Sequence, residues 1–128
     1  MTMTRRLLVV DDEEFVATAL RRVLSRVGYD VVAATSGEDA LVKLEGELPG
    51  CVITDLRMPG MGGHGLIREC RQRYPAIPII VLSADGDMDD VIECLREGVI
   101  DYIRKPWSDS EVRSLVARHF RSQAPPPP

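Results

Sequence analysis

The sequence predicts a doubly wound α/β domain, a parallel sheet with helices on both faces, and three observations carry that prediction. Short apolar runs alternate with amphipathic stretches five times along 128 residues, and strand and helix alternating in this way specify parallel strands joined by right-handed crossovers. The first run, Leu7 to Val10, has no polar alternation, which marks a central strand buried on both faces. Three runs also end on residues with chemical capacity: Asp11-Asp12, Asp55 and Lys105-Pro106. Parallel strands would bring these ends to one sheet edge, where open α/β sheets bind ligands.

The elements follow in order. After the first strand, Val16, Ala19, Leu20, Val23, Leu24 and Val27 repeat at helical spacing from Glu14 to Val27, and Gly28 ends that helix. Val31 to Ala34 is a second strand. Ser36 with Asp39 three residues later reads as a capping box that opens a helix through Leu44. Cys51 to Thr54 is the third strand. The loop Met58-Pro59-Gly60-Met61-Gly62-Gly63 follows, its glycines suited to positive φ in a tight turn, and a helix runs from about His64 to Arg73. Tyr74-Pro75 and Ile77-Pro78 punctuate the next connection.

Ile79 to Leu82 is the fourth strand. Asp87 with Asp90 is expected to cap a helix carrying Val91, Ile92 and Leu95, which Gly98 closes. Val99 to Ile103 is the fifth strand. Ser108 with Glu111 forms another capping box, and Val112, Leu115, Val116 and Phe120 give the last helix its inward stripe. His119 on that stripe reads as a packed or boundary histidine rather than a ligand. Residues 1–121 thus form one domain, and residues 122–128, with four prolines, read as a proline-rich tail or truncated linker.

Composition narrows the function classes. One core fits this length and two do not. A net charge of −4 gives no support for a direct nucleic-acid surface or an anionic membrane surface, both of which need clustered Lys and Arg. The arginine-dense stretch from Arg68 to Arg73 reads as a solvated helix end. No segment approaches the roughly 20 apolar residues of a membrane span, and Arg5-Arg6 precedes only four apolar residues before a double aspartate, which is no signal peptide. A cytoplasmic protein is therefore expected. Three cysteines, Cys51, Cys70 and Cys94, lack a CxxC pattern and read as structural thiols.

Three carboxylates and an ammonium gathered at one edge have a chemical consequence. Carboxylates so close repel one another unless a hard cation neutralises them, which predicts a divalent metal, Mg²⁺ above all, with Mn²⁺ able to substitute. Lys105 then needs an anion of its own, and a phosphoryl group is the natural candidate.

Four segments, Val9-Val10-Asp11-Asp12-Glu13, Thr54-Asp55-Leu56-Arg57-Met58-Pro59-Gly60, Val81-Leu82-Ser83-Ala84 and Asp101-Tyr102-Ile103-Arg104-Lys105-Pro106, occur in one order, each at a strand end. Together they resemble the receiver domain of two-component response regulators, from about Arg6 to Phe120. The resemblance implies a flavodoxin-like three-layer αβα sandwich with strand order 2-1-3-4-5. It implies that Asp55 accepts a phosphoryl group from a sensor histidine kinase or phosphotransfer protein, forming an aspartyl phosphate by covalent catalysis. Asp11, Asp12 and Asp55, with the main-chain carbonyl of Arg57, then resemble the Mg²⁺-binding set. Lys105 resembles the lysine that pairs with a phosphoryl oxygen, and Pro106 the proline whose preceding peptide bond is usually cis. Ser83 takes the place of the hydroxyl that bonds the phosphoryl group. Tyr102 resembles the aromatic that turns inward with it, a switch that remodels the face made by the fourth helix, fifth strand and fifth helix.

That face is where the resemblance places an output domain or protein and a phosphorylation-dependent homodimer. The family's self-catalysed phosphorylation and dephosphorylation would come with it, in a signalling module rather than an enzyme. Two departures stand out. Gly62 replaces an often acidic residue, and Ser83 lacks a threonine methyl. Arg57 and Asp85 occupy positions that border the phosphoryl group in the family, so a pair across the pocket mouth that hinders water is expected. Two other readings stay open at this point. One is a receiver-like docking scaffold that is never phosphorylated; the other is a small Mg²⁺-dependent phosphatase, although Asp11-Asp12-Glu13 lacks the spacing of aspartyl phosphatases.

Overall fold

Five parallel strands in the order 2-1-3-4-5 lie between two layers of helices in a computed structural model that describes residues 5–84 and 86–121. In chain order the elements are β1 (Arg6–Val10), α1 (Glu14–Ser25), β2 (Asp30–Ala34), α2 (Gly37–Gly46), β3 (Val52–Asp55), α3 (Gly62–Arg73), β4 (Ile79–Ser83), α4 (Met88–Arg96), β5 (Asp101–Arg104) and α5 (Asp109–His119). The residues beyond Arg121, where the proline tail was read, lie outside the described residues.

Within this one domain the sheet separates two apolar clusters, one on each face. Alternate residues of each strand face opposite sides. Leu7, Val9, Ile53, Leu82 and Ile103 pack with α1 and α5, while Leu8, Val10, Val52, Ile79 and Val81 pack with α2, α3 and α4. Leu20 and Leu24 of α1 and Leu66 and Ile67 of α3 are fully buried, each worth about 1.5–3 kcal/mol relative to exposure. The buried Cys51 thiol is pushed up to about 12, and burial raises Cys70 and Cys94 to about 11, so all three stay protonated at neutral pH.

Local chemistry sets most boundaries. The Ser36 hydroxyl accepts from the Asp39 N–H at 3.0 Å and that of Ser108 from the Glu111 N–H at 3.1 Å, the two capping bonds that the spacing predicts. Gly28 and Gly98, at φ of 98° and 105°, terminate α1 and α4 in the left-handed region. Three expectations need correction. The third helix begins at Gly62 rather than His64, and β5 begins at Asp101 rather than Val99, because Val99 still donates its N–H to Cys94 in the turn that closes α4. Asp87 precedes α4 but makes no side-chain cap bond, since its carboxylate is engaged by the Ala84 N–H and by Arg57.

Candidate functional site

Register decides which strand ends meet. Val10 pairs with Thr54, so Asp11 emerges beside Asp55; Asp55 pairs with Leu82 and Ser83 with Arg104, so Lys105 emerges beside that edge too. Lys105 is anchored there by its own N–H, which donates to the Ser83 carbonyl at 2.8 Å, and the Lys105–Pro106 peptide bond is cis.

The side chains converge. Asp11, Asp12 and Asp55 each offer a carboxylate oxygen, and these oxygens all lie within 4.8 Å of one another. The Lys105 ammonium stands 3.4 Å from Asp11 Oδ2 and 3.6 Å from Asp55 Oδ2. Each inner carboxylate uses one oxygen for its own backbone and leaves the other for the pocket: Asp11 Oδ1 accepts from the Glu13 N–H and Asp55 Oδ1 from the Leu56 N–H, both at 2.9 Å. Asp11 is fully buried, Asp55 nearly so, and Asp12 is exposed at the mouth. Burial raises the Asp11 carboxyl above its ordinary range, and the Asp55 charge pushes the same way against the Glu13 N–H and Lys105.

This donor set fits a hard divalent cation. Three carboxylates against one ammonium leave excess negative charge in a partly dry pocket, and oxygen-only ligands with an exposed third member suit an ion that keeps several waters. Among the described residues no other group of at least three such side chains meets the same test.

The remaining predicted residues fall around this centre. Ser83, 4% exposed, ends β4 in the strand next to Asp55. Tyr102 is half-buried on β5, packs against the core beneath α4, and lines a groove with Asp101, Glu111 and Leu115 of β5 and α5. Asp85 lies outside the described residues. Arg57, expected to pair with it, grips Asp87 Oδ1 through Nη2 at 2.7 Å and Nε at 2.8 Å, and reaches Asp90 Oδ2 at 3.4 Å. His119 contacts Asp101 Oδ2 at 3.0 Å through Nε2.

Two residues read in the sequence as a helix cap and a turn glycine take other roles. Asp87 is buried, accepts the Ala84 N–H at 2.9 Å with its second oxygen, and has its carboxyl held below the usual range by that bond first and by Arg57 next. A turn-forming aspartate three residues after Ala84 was the available signal. Gly63 is the other. Gly60 and Gly62 do adopt positive φ, at 78° and 69°, but Gly63 does not; a Cβ there would collide with the Asp55 carbonyl and the Leu56 Cα. It is required for close approach of α3 to the end of β3.

Residues 7–117 match the family model for the response regulator receiver domain. The chain is 39% identical over 123 residues to the response regulator protein FleR of Pseudomonas aeruginosa, covering 96% of this chain and 26% of that protein. It is 40% identical over 119 residues to the alkaline phosphatase synthesis transcriptional regulatory protein PhoP of Bacillus subtilis, covering 93% of this chain and 50% of that protein. The crystal structure of the NtrX receiver domain from Brucella abortus superposes with a TM-score of 0.86 at 26% identity, covering 88% of this chain and 96% of the other. The chain thus spans a quarter to a half of the curated relatives named here.

Proposed function

Because the chain belongs to the response regulator receiver domain family, the signalling modules of two-component phosphorelays, we propose that Asp55 is its phosphoacceptor and that the protein works as a Mg²⁺-dependent covalent switch. The observation that carries this reading is the convergence of Asp11, Asp12, Asp55 and Lys105 at one sheet edge.

The Asp55 oxygen not held by the backbone, Oδ2, attacks phosphorus in line; an O–P bond forms, and the P–N bond to the donor imidazole breaks, its electron pair staying on the ring nitrogen, so that a ring already protonated at its other nitrogen leaves as neutral imidazole. Asp12 and Asp55, with Asp11 behind them and the Arg57 carbonyl beside them, would hold Mg²⁺. Bound there, the ion offsets charge on the transferring group. Lys105, already 3.6 Å from Asp55 Oδ2, pairs with a phosphoryl oxygen and gives up its hold on the free carboxylates. Ser83 bonds a second oxygen, and Tyr102 fills the space its movement leaves. Hydrolysis returns the chain to its starting state without a second protein.

Sensor histidine kinases or phosphotransfer proteins are the donors on this reading, and the α4–β5–α5 face carries the output, in the cytoplasm. No helix among the described residues is long and apolar enough to cross a membrane. Relatives include DNA-binding transcriptional regulators, of which this chain covers about a quarter. The phosphatase and the unphosphorylated scaffold are not favoured, given the family and the complete acidic set. Incubation with acetyl phosphate and Mg²⁺ followed by intact-mass measurement tests the proposal: a phosphate adduct lost in Asp55→Asn supports it, and no adduct on the parent chain overturns it.

A further inference from the structure

We propose that Arg57 is a latch shared between two anionic sites, the Asp87 and Asp90 carboxylates while Asp55 is free and the phosphoryl group once Asp55 carries one, so that loading the acceptor releases the first turn of α4. The inference rests on the acceptor role of Asp55 and adds a route from that residue to α4 separate from Ser83 and Tyr102.

The geometry ties two loops together at one buried carboxylate. Arg57 follows Asp55 by two residues on the loop after β3, and its Nε and Nη2 close on Asp87 Oδ1 at 2.8 and 2.7 Å. The other oxygen, Asp87 Oδ2, holds the Ala84 N–H, immediately after Ser83. Asp87 is therefore the joint between the acceptor loop and the loop that leads into α4. The two partners differ in freedom. The Arg57 side chain is 68% exposed and that of Asp87 only 3%, so the guanidinium can swing on its flexible stem while the carboxylate cannot follow it.

The start of α4 depends on this grip. Asp87 makes no side-chain cap bond to the helix, and Met88, Ile92 and Leu95 turn their surfaces outward, at 50%, 42% and 41% exposure. Arg57 Nη2 adds a second tie at 3.4 Å to Asp90 on the same turn, and Asp90 Oδ1 lies 4.0 Å from His64 Nε2 of α3. An element with few buried apolar anchors, held by tertiary ion pairs at one end, is a low-stability unit that opens locally.

Phosphorylation changes the competition for the guanidinium. A phosphoryl group brings about −1.5 to −2 charge and several strong acceptor oxygens at neutral pH, within two residues of Arg57. Arginine binds such a group through paired donors. Withdrawal of Arg57 leaves the Asp87 carboxylate buried with only the Ala84 N–H, a costly arrangement that favours moving the turn outward into water. The loaded and free states thus differ in the contacts of one cation, which is what a population shift requires.

Backbone hydrogen exchange on the full chain tests the latch, comparing Mg²⁺ alone with Mg²⁺ plus beryllofluoride as phosphoryl mimic and with acetyl phosphate, loading being checked by intact mass. Loading of the parent chain should speed exchange across residues 87–92 roughly fivefold, the opening expected from loss of one such ion pair. Arg57→Ala and Asp87→Asn should exchange at the fast rate already without loading and gain little from it, while α2 stays unchanged in all chains as the control for folding. Equal slow exchange in the parent and Arg57→Ala before loading overturns the latch. So does a full loading response in Arg57→Ala. A parent chain that takes up no phosphate overturns the acceptor reading and the latch with it, whereas the other two outcomes remove the latch alone.

Discussion

The Lys105 ammonium lies 3.6 Å from Asp55 Oδ2, joining the ends of two strands, β3 and β5, that are not neighbours in the sheet. The same group is 3.4 Å from buried Asp11. One cation therefore compensates two carboxylates, and on the proposed function it is the group that would pair with a phosphoryl oxygen.

Removing that cation should slow phosphoryl uptake more than it disturbs folding. Lys105→Ala is expected to lower the rate of adduct formation from acetyl phosphate by roughly 100-fold, the usual cost of deleting one preorganised charge-stabilising group. A time course of intact mass at saturating Mg²⁺ measures it. A loss smaller than about tenfold would place Lys105 outside the transfer step, by the same scale.

Asp11 is buried beside another carboxylate, so its charge costs stability when no cation is bound. Asp11→Asn keeps an oxygen for the Glu13 N–H and removes the charge. It should raise the melting temperature in chelator by about 3–6 °C. The same change should abolish most of the stabilisation that Mg²⁺ gives the parent chain. Melts with chelator and with Mg²⁺ check both halves.

The depressed carboxyl of Asp87 sets a direction for acid stability. The Ala84 N–H first, and Arg57 next, hold its folded value below the ordinary carboxylate range, so its contribution is complete above the unfolded value of about 3.9 and is lost as pH falls through the folded value. Asp87→Asn should therefore be less stable than the parent by about 1–2 kcal/mol from neutral pH down to about pH 5, and the gap should close below about pH 4. Urea melts across that range measure it, and a gap independent of pH would count against the ion pair.

Gly63→Ala tests the close approach of α3 to the end of β3. Its Cβ would overlap the Asp55 carbonyl and the Leu56 Cα, both backbone atoms that cannot step aside. A loss of about 2 kcal/mol or more is expected, together with slower phosphoryl uptake in whatever fraction folds. Gly46→Ala, where a Cβ meets nothing, is the control and should be neutral or slightly stabilising.

Much of this was legible because it rests on short-range periodicity. Apolar runs marked β1, β3 and β4 as strands, the first of them as buried because it lacks alternation, helical spacing marked α1 and α5, and Ser36 and Ser108 marked two helix starts that the structure caps as expected. The strand ends placed Asp11, Asp55 and Lys105 at one edge because parallel strands share a direction. The role of Asp87 was not legible. An aspartate before a helical pattern reads as a cap from its neighbours alone, and only the three-dimensional path of the loop after β3 brings Arg57 to it in place of the backbone of α4.

By itself the sequence determined the order of elements, the parallel sheet and the residues available at its edge, since these follow from side-chain period and chain direction. Tertiary structure alone decided which of the acids near the edge each cation holds. Lys105 faces Asp11 and Asp55, and Arg57 takes Asp87 and Asp90. The reason is physical: an ion pair is set by distances of a few ångströms between loops far apart in the chain, and those distances exist only after strand register and loop path have been fixed by packing.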